Sequence, residues 1–181
     1  MPNTSFSPNL YGFTSDLQRL WTKAERLYRE GNRDPSKFFD EAGEECLAAL
    51  GLGVMDIFDY VEDFVSSGEP DYASFVLITA ERVFYFTEEM EGQPSTNLIK
   101  ESDLPAKTDE VDGIAWLPRI LVKAKGKLRG ELPAEIMFGC GGDRKFARSR
   151  GIHLAEFLRK VRYAKDDREV VDWVAGRSPV Q

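Results

Sequence analysis

Cys140 stands in the stretch Gly139-Cys140-Gly141-Gly142-Asp143, just ahead of a helix predicted over residues 144–150. A helix N-terminus lowers a thiol pKa and presents free backbone amides. The setting therefore suits a reactive thiolate or an anion-binding turn. The competing reading is a small buried residue beside glycines that merely shape the turn. His153 is the only histidine. With Cys140 it could form a nucleophile–base pair, although a lone His at a helix start is more often a polar surface residue. A single His also argues against a His-rich zinc site. Arg19 and Lys23, and again Arg119 and Lys123, place two cations four residues apart, on neighbouring turns of a helix. Such a pair can clamp a carboxylate or phosphate; more often it is solvated or bridges to nearby acids. Cys140 and His153 are thus the candidates for catalysis, and Arg19, Lys23, Arg119 and Lys123 those for binding. No metal site and no cofactor are expected.

Two further clusters carry charge. Asp56, Asp59, Glu62 and Asp63 lie close together on one predicted helix, with Asp59 and Asp63 on a shared face. Glu-x-x-His and EF-hand spacings are both missing, so a solvated helix face is expected there rather than a metal site. Arg119, Lys123, Lys125, Lys127 and Arg129, with Arg144, Lys145, Arg148 and Arg150, form a basic run that could meet phosphates. No helix-turn-helix, zinc-finger or RNA-binding signature accompanies it, and the whole chain carries a net charge of −7. Nucleic-acid binding is the less favoured reading. Asp40 to Asp71 contains ten acids and no Lys or Arg, whereas Arg119 to Lys165 contains thirteen bases and four acids. The two stretches are expected to attract each other, within one chain or across a dimer.

The elements that must position these groups follow from composition and periodicity. With 181 residues, 42% hydrophobic and 12% aromatic, the chain can bury one good core or two small ones. No apolar run approaches a membrane span, and the start, MPNTSFSPNL, lacks the basic and apolar regions of a secretory signal. Two cysteines make no disulfide framework, so a cytoplasmic setting is expected.

Shifted by one hundred residues, positions 17–64 align with 117–164 without a gap. Eight of 48 pairs are identical: Leu17/Leu117, Arg19/Arg119, Lys23/Lys123, Ala24/Ala124, Arg29/Arg129, Phe38/Phe138, Gly51/Gly151 and Val61/Val161. Ordinary composition gives roughly three by chance. The expected fold is mostly α, two divergent copies of a small helical unit packed together. The first copy spans residues 1–91 with an N-terminal extension, a linker spans 92–112, and the second copy spans 113–181.

Within the first copy, a helix is predicted over 16–30, with Ser15 and Gln18 as a capping box and Gly31-Asn32 as its stop. A second opens at Asp34-Pro35, buries Phe38, Phe39, Ala42, Cys46, Ala49 and Leu50, and ends at Gly51. A third carries Val54, Ile57, Phe58, Val61, Phe64 and Val65. Residues 74–86 admit a strand pair, but the helical period of Tyr72, Phe75, Val76, Thr79, Ala80, Val83 and Phe84 favours a helix, buried centrally. In the second copy, Leu117, Ile120, Leu121, Ala124 and Leu128 repeat the first stripe. Residues 134–142 are ambiguous, 153–164 are helical, and Asp166-Asp167 cap a last helix burying Val170, Trp173 and Val174.

The second copy reads GIAWLPRILVKAKGKLRGELPAEIMFGCGGDRKFARSRGI and then HLAEFLRKVRYAKDDREVVDWV. Its LPR and KA motifs, Cys-to-Asp turn, single Phe, Gly-Ile and terminal DREVVDWV resemble a bacterial family, domain of unknown function 5069, over residues 113–175. The first copy matches only through LQRLWTKA and the spacing to Gly51. Gly139-Cys140-Gly141-Gly142-Asp143 stands where the family has Asn-Cys-Pro-Leu-Asp, so Cys and Asp are kept and the turn between them differs. The resemblance implies no activity. The leading expectation is a non-enzymatic protein-interaction or regulatory module, with a protein partner or self-association. The rival is a thiol enzyme or redox sensor centred on Cys140, and the third reading is nucleic-acid binding by the basic second copy.

Overall fold

Helical periodicity dominates the computed structural model, which describes residues 10–177. The reading of the first nine residues as free of a secretory signal concerns a segment outside the described residues. The first half contains α1 (Phe13–Arg29), a short 3-10 turn (Pro35–Lys37), α2 (Glu41–Ala49), α3 (Met55–Ser67) and α4 (Tyr72–Glu88). The second contains a two-residue hairpin, β1 (Glu110–Val111) with β2 (Ile114–Ala115), then α5 (Leu117–Arg129), α6 (Gly141–Ser149), α7 (Leu154–Tyr163) and α8 (Asp167–Ala175). No described helix is long and apolar enough to cross a membrane.

The ambiguous segment at 74–86 is helix α4, and it is central. α4 packs against α1 on one side and α5 and α7 on the other, so one continuous core joins both halves. Trp21 of α1 meets Phe75 of α4 at 4.8 Å between ring centroids, and Phe64 of α3 at 5.6 Å. The stripe Leu117, Ile120, Leu121, Ala124 and Leu128 is buried as its spacing requires. Leu77 departs from the all-round burial expected of α4, at 52% exposed.

Several local expectations need correction. The capping box at Ser15 and Gln18 does not form; α1 begins at Phe13, with Gly12 as a cap that offers no side-chain bond. Phe13 is buried edge-on against Phe84 at 5.9 Å, which rewards one more turn of helix than capping chemistry alone suggests. The second predicted helix is broken in two. Phe38 and Phe39 are both buried, which takes the chain out of helix between them and α2. Asp40 restarts it by accepting from the Gly43 amide at 3.1 Å. The buried face of α2 is then Gly43, Leu47 and Leu50, with Ala42 exposed and Cys46 half-buried. Residues 134–142 form turns until α6 begins, and Trp173 is half-buried rather than buried.

The segment read as a linker is pinned along α5. Ile99 donates its amide to Glu131 O at 2.9 Å, Ser95 Oγ reaches Glu131 Oε1 at 2.7 Å, and Pro105 O accepts from Arg119 at 2.7 Å. Its end forms the hairpin, turned by Asp112 and Gly113, both with positive φ. Asp-Gly between apolar residues is a strong hairpin signal.

Arg82, in the middle of α4, is buried at 3% exposure. It donates to Leu128 O at 2.7 Å and to Gly51 O at 2.8 Å. These carbonyls belong to the ends of α5 and α2, where helices leave acceptors unsatisfied. One side chain thus ties a helix end of each half to the central helix. Methionine at position 82 keeps the volume and removes both charge-assisted bonds, each worth about 1.5–3 kcal/mol. Arg82→Met is expected to lower unfolding free energy by roughly 3 kcal/mol in urea titrations, and Arg82→Lys to recover only part, because one ammonium cannot reproduce the guanidinium fork.

Candidate functional site

Two neighbouring places concentrate polar groups. The first is a buried cluster at the start of α6. Asp143 is fully buried and accepts from Trp116 Nε1 at 2.9 Å, from the Gly139 amide at 2.8 Å and from Lys123 Nζ. Lys123 Nζ also lies 3.3 Å from Cys140 Sγ. The backbone builds this arrangement. Trp116, the cap of α5, has φ +71°, rare for a bulky residue, and its indole packs over Gly142, where any Cβ would enter the ring. The Gly139-to-Asp143 spacing then returns the carboxylate to the amide that precedes Cys140.

The second is a cavity of about 560 Å³ walled by both halves. Its apolar wall includes Met55, Phe86, Leu132, Ile136, Met137 and Phe138. Asp56, Asp59, Arg82, Lys127 and Arg129 supply its charge. Lys127 Nζ binds Asp56 Oδ1 at 2.5 Å and stands 5.3 Å from the ring centroid of Tyr60. Burial opposes charge on Asp56, but Lys127 and the Gly53 amide outweigh it and hold the carboxyl below its usual range. Tyr60 donates to Phe138 O at 2.5 Å, closing the floor, and burial raises its phenol pKa further.

Asp59 differs from its neighbours. Among the described residues none hydrogen-bonds to it or forms an ion pair with it. Burial, opposed by Lys127 and reinforced by Asp56, Glu62 and Asp63, pushes its pKa up to about 7. The acidic face of α3 is therefore not the solvated surface expected of it. Asp63 pairs with Arg144 at 2.7 Å, Asp56 with Lys127, and Asp59 lines the cavity. The attraction between the acidic and basic stretches operates within the chain.

The sequence candidates are scattered. Cys140 and His153 flank α6, whose nine residues span about 13 Å. His153 is exposed and its Nδ1 accepts from the Ala155 amide at 3.1 Å as the cap of α7. Arg19 is exposed beside Asp16 at 3.6 Å, and Lys23 pairs with Asp40 at 3.5 Å. Arg119 is held by Pro105 O, and Lys123 by Asp143. In each pair the Arg and the Lys thus have different partners. Among the described residues no group of three His, Cys, Asp or Glu side chains can hold a metal ion. Sequence reasoning missed Arg82 and Trp116, and named Lys127 only within the basic run and Asp143 only within the turn after Cys140. Buried Arg82 and Lys127 sit at apolar-stripe positions of their helices, the one local signal that marks them.

Two outcomes follow. Asp143→Ala leaves Lys123 buried without its partner and is expected to cost about 3–5 kcal/mol. Lys23→Met, at the more exposed Lys23–Asp40 pair, should cost less than about 1 kcal/mol; urea titration compares the two. Asp59, with its folded pKa raised from 3.8, keeps its proton in the folded state between pH about 4 and 7. Stability therefore falls as pH rises through that window. Asp59→Asn should match the parent below pH 4 and exceed it above pH 7 by roughly 1–3 kcal/mol, after discounting for partial exposure, as read by melting curves at both pH values.

Residues 102–181 match the family model described as Domain of unknown function (DUF5069). The match begins ahead of the hairpin and includes α5 to α8 and the Lys123–Asp143 cluster. No curated protein and no solved structure matches the chain.

Proposed function

We propose that this chain is a non-enzymatic regulatory module made of two divergent copies of one four-helix unit, with a small-ligand cavity at their seam. The observation that carries the reading is that both halves wall the cavity and the ion pair Lys127–Asp56 crosses it. Whatever fills the cavity then bears on how the halves are held together, which is what a regulatory module needs.

Duplication is supported by backbone bonds that recur at an offset of one hundred. Glu44 N to Asp40 O at 3.0 Å matches Arg144 N to Cys140 O at 2.9 Å, and Leu52 N to Leu47 O matches Ile152 N to Ala147 O, both 2.9 Å. Gly51 and Gly151 both turn with positive φ, 71° and 62°. Lys23 to Asp40 at 3.5 Å corresponds to Lys123 to Cys140 at 3.3 Å.

The thiol reading keeps one supporting observation, the Lys123 ammonium 3.3 Å from Cys140 Sγ. Nucleic-acid binding is less well supported, because Lys123, Lys127 and Arg144 of the basic run are taken by internal ion pairs. A protein partner or a second copy of the chain is the proposed target, in a reducing cytoplasm that suits the free Cys46 and Cys140.

Protein-observed NMR with a library of small organic fragments tests the module. Saturable shifts at Met55 and Met137 methyls, without chemical change to any fragment, are expected. Turnover of a fragment, or no response at the cavity methyls, would overturn it. Iodoacetamide titration decides the rival: alkylation of Cys140 with a midpoint near pH 8.5, the ordinary thiol value, removes the case for a thiolate.

A further inference from the structure

The charges lining the cavity are unevenly matched. Asp56 has Lys127 at 2.5 Å and the Gly53 amide at 2.9 Å. Arg82 has the carbonyl oxygens of Leu128 and Gly51, and Met90 Sδ at 3.2 Å. Arg129 is exposed, where water and salt screen it. Asp59 is half-buried and has neither a hydrogen bond nor an ion pair among the described residues. A carboxylate partly withdrawn from water gains from a donor, and this one lines a cavity of a size that takes small organic molecules.

We propose that the cavity binds a small organic amine, its ammonium group taken by Asp59 and its apolar body lodged among Leu132, Ile136 and Met137. An ammonium supplies both the charge and the donors that Asp59 lacks. A neutral ligand supplies no charge. An anionic one would bring a second negative charge to Asp59, which no ion pair offsets, while Lys127 is already taken by Asp56 and Arg82 by carbonyl oxygens. The inference rests on the reading of this cavity as a ligand site and adds the class of ligand.

The pH dependence follows from the groups around Asp59. Asp56, Glu62 and Asp63 on its own helix repel its charge, Lys127 from α5 attracts it, and Arg82 from α4 lies on the same wall. The carboxyl titrates at about pH 7 in the free protein. An amine that stays protonated throughout will bind the ionised form, so its affinity falls by up to tenfold per pH unit below that point.

Three isosteric probes separate the classes: 4-phenylbutylamine, 4-phenylbutanol and 4-phenylbutyrate, titrated into the full-length protein at pH 8 and followed at the cavity methyls. The amine is expected to bind at least tenfold tighter than the other two. It should lose that advantage in Asp59→Asn, and also at pH 5.5. Folding of the variant is checked by its unshifted methyl spectrum remote from the cavity. Tighter binding of the butyrate, equal binding of all three, or an amine affinity indifferent to Asp59→Asn overturns the amine assignment and leaves the cavity as a site for another class. No saturable binding by any of the three overturns the ligand site along with it.

Discussion

A guanidinium buried in the middle of a helix is costly unless its donors are met, and the way Arg82 meets this demand organises the molecule. Its partners are the carbonyl oxygens of Gly51 and Leu128, acceptors left over where one helix of each half ends. The halves must bring those ends to α4 for the cation to be tolerated. Gly130 must lack a side chain, because a Cβ there would run into the guanidinium. Gly51, for the same kind of reason, leaves room for the Phe86 ring. The cavity exists beside this clamp, where the loops after α2 and α5 diverge from α4.

Electrostatics distinguishes the two halves more than topology does. The acids of α3 and the bases of α5 and α6 face each other, so a charge contrast visible along the chain becomes a set of ion pairs across the seam: Lys127 with Asp56, Arg144 with Asp63, and Arg148 with Glu69 at 2.7 Å. A second set, Arg159 with Glu81 at 2.7 Å and Arg162 with Glu89 at 2.8 Å, ties α7 to α4. Exposed pairs of this kind contribute little individually; the partly buried ones set the register of one half against the other. Asp59 is left over from this matching, and its unmet demand marks the cavity as a place where something can bind.

The Lys123–Asp143 pair is buried, unlike the pair that Lys23 makes. Lys23 lies on α1 and Lys123 on α5. Lys23 reaches an exposed capping Asp40, whereas Lys123 reaches the fully buried Asp143, which also accepts from Trp116.

Periodicity and punctuation were enough to read the helices. Apolar stripes placed α1, α3, α5, α7 and the central α4, and Gly31 and Gly51 marked where helices stop, because these signals depend on local geometry alone. The charge contrast between Asp40–Asp71 and Arg119–Lys165 was equally legible, since it needs only counting. Sequence alone also singled out Cys140 as a residue beside a helix start. It did not reveal that Lys123 would lie against that sulfur, that Asp143 would be wholly buried, or that Asp59 would lack a partner. Those facts depend on residues brought together from up to 81 positions apart, as Asp63 and Arg144 are. They are decided by packing, because whether a carboxylate is paired, buried or left facing a cavity is a property of the space around it and not of its neighbours along the chain.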